Sequence, residues 1–175
     1  AGAPVRALVT PALLAIAGVA AYSLYNPYAF RRWKGFLHPW ETSQEQGYQL
    51  VQSFVAFGRG GVLGAGLGDG RQKLFYLPEA HTDFILAVVS EEIGLVGVLL
   101  VLGAFAALLV AGVRIALRCR QRFAMLFAFG MTGLLTVPAL INAAVVMGWA
   151  PTKGLTLPLV SYGRSSLLVC CLALG

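Results

Sequence analysis

Acidic side chains are scarce in this chain, and so is charge as a whole. Seven of 175 residues are Asp or Glu, all between Glu41 and Glu92, and charged residues of both signs make up 11%. A soluble domain carries roughly 25%. With 58% hydrophobic residues and a mean hydropathy of +0.78, a water-soluble globule is excluded as the expected class. Cysteine is rare as well. Cys170 and Cys171 lie in an apolar run and Cys119 among arginines, so all three read as free thiols rather than a disulfide framework. His38 and His81 are the only histidines, which gives a His-based catalytic triad little support. Zinc-ligand spacing, a nucleophile elbow and a P-loop are also missing. Nothing resembles a signal peptide, and Ala1 opens the chain without an initiator Met, which suits a fragment.

What is there is long apolar runs, at about Thr10–Leu24, Phe84–Ala116 and Phe123–Met147. A membrane-spanning helix needs ~20 predominantly apolar residues. A last run from Ser165 to Gly175 is too short to span, so the chain is expected to stop inside a helix. The expected organisation is a single all-α, polytopic membrane domain. It has a helix at about 8–25, a large extracytoplasmic loop at 26–82 and a helix at 83–116. A cytoplasmic loop at 117–122, a helix at 123–147, an extracytoplasmic loop at 148–164 and the start of a last helix at 165–175 complete it. Orientation follows from Arg114, Arg118, Arg120 and Arg122, which make the 117–122 loop cytoplasmic by the positive-inside rule. Asp83 then lies on the outer face.

Within the outer segment, Asn26-Pro27 reads as a turn. Arg31, Arg32, Trp33 and Lys34 suit lipid head groups or phosphate, or simple interfacial anchoring. Leu50, Val51, Phe54, Val55 and Phe57 recur at helical spacing, which predicts a short amphipathic helix over about 47–57. The glycines of Gly58–Gly70 lack the strand and following helix of a dinucleotide loop and read as a turn of close backbone approach.

The ionisable cluster in Tyr76-Leu77-Pro78-Glu79-Ala80-His81-Thr82-Asp83 stands at the mouth of the most apolar helix. Carboxylates beside hydrocarbon are costly and usually mark function. Pro78 forces a bend and Thr82 is expected to N-cap the helix, placing Asp83 in its first turn, where the helix dipole favours the ionised form. Asp83 is then either a general base or a helix-capping group. His81 either bonds a substrate or sits at the interface. Glu91 and Glu92, deeper in the same helix, need partners. Arg71, Lys73, Lys153 or a helix absent from this sequence would supply them. Arg71 and Lys73 add positive charge near Asp83, as phosphate ligands or a solvated face. Pro138 predicts a kink, and Asn142 reads as an interhelical hydrogen bond.

Gly47–Ser53, the segment Lys73–Ile85 with its Leu-Pro-Glu-Ala-His-Thr-Asp-Phe-Ile, and the loop Pro151–Ser166 resemble the SEDS proteins (shape, elongation, division and sporulation). Pro-Thr-Lys-Gly-Leu-Thr-Leu-Pro-Leu-Val-Ser-Tyr-Gly is closer to the division member than to the elongation member. The resemblance runs from about Asn26 to the end and implies the C-terminal part of a ten-helix fold, roughly helices seven to ten. It implies a peptidoglycan glycosyltransferase that polymerises lipid II at the outer face of the bacterial cytoplasmic membrane. Asp83 would be catalytic. Arg71, Lys73, Glu79, His81, Thr82, Lys153 and Ser161 would meet the substrate, with Arg71, Lys73 and Lys153 at phosphate. Basic side chains or a divalent cation, Mg or Mn, would balance the leaving diphosphate. The implied partners are lipid II, undecaprenyl-diphosphate-linked glycan, a class B penicillin-binding protein and other division proteins; nucleic acid is not among them. Where the family reads Ser-Tyr-Gly-Gly-Ser-Ser, this chain has Arg164 at the second glycine, which a positive φ there would suit poorly. A lipid II flippase and a non-catalytic division scaffold are the rival readings.

Overall fold

In hydrocarbon a backbone must satisfy its own polar groups, so the apolar runs have to become helices. The computed structural model describes residues 9–11, 13, 14, 17, 18, 22, 25–45, 47–70, 82–152, 154–161 and 164–174. The helices in chain order are α1 (Pro27–Leu37), α2 (Tyr48–Gly60), α3 (Ile85–Arg118), α4 (Arg122–Val146) and α5 (Arg164–Leu174). The described residues between 9 and 25 are helical too, and the described residues contain no strand. The turn expected at Asn26-Pro27 is instead a helix start. Proline at the first helical position loses no hydrogen bond, and its fixed φ suits the helix.

α3, with 34 residues, and α4, with 25, are long and apolar enough to cross a bilayer. The core helix of a soluble protein would be mostly buried. Here most of each helix is not buried, and Leu99, Leu100, Val110, Leu126, Phe127 and Leu140 are exposed. The short connection at Cys119–Gln121 has extended backbone at both ends and turns the chain back, so α3 and α4 are antiparallel neighbours. They approach closely at Gly112, where a Cβ would collide with the Thr132 side chain. Small residues let helix backbones approach in this way. α4 runs on through Pro138; the expected kink is not where the backbone departs from helical geometry.

That departure falls in α3, at Gly94, with φ 75° and ψ −164°. A regular helix would bond the Leu95 and Val96 amides to the Glu91 and Glu92 carbonyls. Gly94 opens that rung, and the chain after α2 inserts into it. Leu95 N–H donates to Gly61 O at 3.0 Å and Val96 N–H to Val62 O at 3.4 Å. Ala65 N–H donates to Glu91 O at 2.9 Å and Gly66 N–H to Glu92 O at 3.2 Å. The ladder is thus completed by another part of the chain, which is how broken helices are tolerated at membrane depth. Glycine is required at the contact: a Cβ on Gly60, Gly64 or Gly94 would overlap the opposing backbone. The glycine-rich segment is the close backbone approach expected from its composition.

The core sits at the Asp83 end of the bundle. Ala56 of α2, Phe84, Leu86, Ala87, Val88 and Val98 beside or in α3, and Ala143, Val145 and Val146 of α4 form one buried cluster. Burying Phe84 alone contributes roughly 1.5–3 kcal/mol. Ser53 Oγ donates to Val146 O at 2.8 Å and pins α2 to the end of α4. The site is therefore built on packed helix ends.

Candidate functional site

Asp83 lies just before α3, half-buried. The N-cap is Phe84, without a side-chain cap, and the first turn of α3 carries no acid. This corrects the expected Thr82 cap and first-turn Asp83. The reason is that the two preceding carbonyls are already engaged. Ser161 Oγ donates to Thr82 O at 2.5 Å, and Asn142 Nδ2 donates to Asp83 O at 2.7 Å. Phe84 O is the first carbonyl left to start the helix, and it accepts from Ala87 N–H at 2.9 Å. Asp83 is thus placed by tertiary hydrogen bonds to the 82–83 backbone rather than by a cap.

The loop at 151–161 closes over the same point. Asn142 gives its second donor to Leu155 O at 2.6 Å, and Leu157 N–H donates to Ser161 Oγ at 2.7 Å. Asn142 and Ser161 are buried, at 2% and 4% exposure. Gly154 comes next to the carboxylate; a Cβ there would stand 3.2 Å from Asp83 Oδ2. Leu159 has φ 65°, the one non-glycine residue among those described with positive φ. Arg32 of α1 reaches the loop too, donating to Thr152 O at 3.2 Å. Arg164 opens α5, so its backbone is helical rather than left-handed and an L side chain is compatible with it.

Behind Asp83, Glu91 is fully buried and meets Arg59 Nη1 at 3.2 Å. Arg59, at the last turn of α2, is a partner that sequence reasoning missed among the glycines. Thirty-odd residues of separation leave no local pattern; the available signal was that Arg59 is the lone base in the stretch 47–70. Gly70 lies against both carboxylates, its Cβ position 2.9 Å from Glu92 Oε1 and 3.2 Å from Glu91 Oε2. Near α1, Arg31 and Lys34 line a polar cavity of about 290 Å³ with Thr42 and Glu45.

Of the expected site residues, Thr82, Asp83 and Ser161 are brought together, with Ser161 turned onto the Thr82 carbonyl. Arg71, Lys73, Glu79, His81 and Lys153 lie outside the described residues. Among the described residues, no three His, Cys, Asp or Glu side chains gather as metal ligands would. Glu79 and His81, which precede Asp83 in the sequence, lie outside those residues, so the divalent cation expected from the resemblance is a proposal. Asn142 was expected as an interhelical bond; it instead joins two segments outside the helices, at Asp83 and Leu155.

All 175 residues match the cell cycle protein family of FtsW, RodA and SpoVE. A protein of Geobacter sulfurreducens named probable peptidoglycan glycosyltransferase FtsW is 47% identical over 175 residues, 100% of this chain and 47% of its own. The protein of the same name in Marinobacter nauticus is 54% identical over 153 residues, 86% of this chain and 38% of its own. A chain from a solved peptidoglycan synthase complex, described for its coordination of polymerization and crosslinking, has a TM-score of 0.71 at 34% identity. It covers 99% of this chain and 48% of that one. The chain therefore spans about half the length of these relatives. A match over every residue, with identities near one half, leaves one assignment: the chain belongs to the FtsW/RodA/SpoVE cell cycle protein family, the SEDS proteins its motifs resemble.

Proposed function

We propose that the whole protein is a peptidoglycan glycosyltransferase that polymerises lipid II at the outer face of the cytoplasmic membrane during division, with Asp83 as general base. The observation that carries the reading is the half-buried Asp83 carboxylate, set by backbone hydrogen bonds at the end of an apolar helix and flanked by the 151–161 loop. The names of the relatives support the reaction class.

The donor is the growing glycan on undecaprenyl diphosphate, and the acceptor is the GlcNAc 4-hydroxyl of lipid II. That oxygen attacks the anomeric carbon as its proton passes to Asp83. The bond from that carbon to the diphosphate breaks, and the diphosphate lipid departs with the electron pair. Arg71, Lys73 and Lys153 are the cations assigned to its charge. A class B penicillin-binding protein is the proposed partner, a reading supported by the likeness to a chain of a synthase complex. Transport is the weaker reading because the seven acids gather at residues 41–92 rather than along both spanning helices. The test is polymerisation by the full-length protein. Removing a general base costs ~10²–10⁴-fold, so Asp83→Ala is expected to abolish measurable glycan. Near-normal strands from a folded variant would end the proposal.

A further inference from the structure

Asn142 is buried within α4, and both hydrogens of its amide are committed to backbone carbonyls, those of Asp83 at 2.7 Å and Leu155 at 2.6 Å. Its orientation follows from chemistry: carbonyls only accept, so the NH₂ end has to face them. Its Oδ1 is buried with no hydrogen-bond partner among the described residues. A leucine here would remove the unsatisfied Oδ1 but leave the Asp83 and Leu155 carbonyls without these donors, so the position does more than pack. What the asparagine adds is a pair of donors, and the pair joins two segments far apart in the chain. One segment carries the Asp83 carboxylate. The other brings Gly154 against it.

Ser161 repeats the arrangement one residue back. Its hydroxyl donates to Thr82 O and accepts from Leu157 N–H at 2.7 Å. Consecutive carbonyls, Thr82 and Asp83, are therefore both held by buried side chains from elsewhere, and each of those side chains also holds the 155–157 backbone. A rigid segment results from which the Asp83 side chain projects. Without these bonds the α3 helix has two more carbonyls at its start, and Asp83 is free to enter the first turn as its sequence alone suggests.

We propose that Asn142 is a positioning residue for Asp83, fixing the carboxylate relative to the 151–161 loop, with Ser161 as its second support. The inference rests on Asp83 being the base. Asn142 acts through the backbone and touches no reacting atom in this account. Misplacement of a reacting group by 1 Å is enough to cost ~10²-fold.

The test uses purified full-length protein and lipid II. Initial rates over a range of lipid II concentrations give kcat and KM, with thermal unfolding measured alongside. Asn142→Leu is expected to lower kcat by about 10²-fold while the KM moves less, because Asn142 itself contacts no substrate group. Asn142→Gln keeps both donors and is expected to recover at least part of that loss. Ser161→Ala should lower kcat, and Ser161→Thr, which keeps the hydroxyl, should restore it; this pair decides the matter if Asn142→Leu does not fold. A wild-type kcat in Asn142→Leu, or Gln and Thr variants no better than Leu and Ala, overturns the inference. Asp83→Asn is run in parallel. If it is inactive while Asn142→Leu is fully active, the positioning role alone fails. If Asp83→Asn polymerises normally, the base reading fails and this inference falls with it.

Discussion

Glu91 shows how a single residue constrains the rest of the site. A fully buried carboxylate needs a partner, and Arg59 provides one at 3.2 Å while keeping 38% of its own side chain exposed. Breaking a buried ion pair costs about 3–5 kcal/mol, but exposure at Arg59 allows solvent to screen part of it, so about 2 kcal/mol is expected for Arg59→Met. The double variant Arg59→Met with Glu91→Leu should regain most of that stability. Thermal unfolding of the two purified variants checks this; equal losses in both would show that the unpaired Glu91 charge is not what costs stability. Sequence reasoning predicted that Glu91 is paired but did not name Arg59, because a contact made by chain folding leaves no mark on local spacing; the partners it named, Arg71, Lys73 and Lys153, lie outside the described residues. Asp83 was legible as a functional candidate from its apolar neighbourhood. Its placement outside the first turn was not, since that depends on Asn142 and Ser161, some 59 and 79 residues away from the carbonyls they bind.

At the scale of elements, α2, α4 and α5 stand close to where hydrophobic spacing puts them. α1 was hidden by its Asn-Pro start, which reads equally as a turn. The break in α3 was hidden for another reason. Glycine is common in membrane helices, and Gly94 looks ordinary until the 61–66 segment is seen to fill the opened rung. The expected behaviour of Gly94→Ala follows. Alanine at φ 75° and ψ −164° enters a region that is essentially glycine-only and is strained by roughly 1–3 kcal/mol, and its Cβ would meet Gly64 N and Val62 O. The inserted segment should be expelled. Hydrogen exchange then reports it: the amides of Ala65, Gly66, Leu95 and Val96 should lose protection together, while those in the middle of α4 keep theirs. Unchanged protection at all four positions would show that the insertion does not depend on glycine.

At the scale of the molecule, charge is divided between the two ends of the α3–α4 pair. Asp83, Glu91 and Glu92 lie at the start of α3, and Arg114, Arg118 and Arg122 cluster with Arg120 at the far end. The exposed apolar flanks of α3 and α4 suit contact with lipid or with further apolar helices. Orientation is open to direct measurement. In a cysteine-free background of the full-length protein, Asp69→Cys should react with a membrane-impermeant maleimide added to cells whose outer barrier is opened, and Arg120→Cys should not. The reverse pattern would place the proposed chemistry on the wrong side of the membrane. The fold class and the two spanning helices were legible from hydropathy alone, because bilayer thickness imposes length and composition together. The way the loops meet over Asp83 was not, because it is decided by side-chain donors finding distant carbonyls.

The most direct test of the central claim is lipid II polymerisation by the full-length protein carrying Asp83→Asn. The amide keeps the shape of the carboxylate and removes its capacity to take a proton. The expected result is a folded protein with the unfolding midpoint of the wild type and glycan synthesis lowered by ~10²-fold or more. Strands made at the wild-type rate by that variant would contradict it.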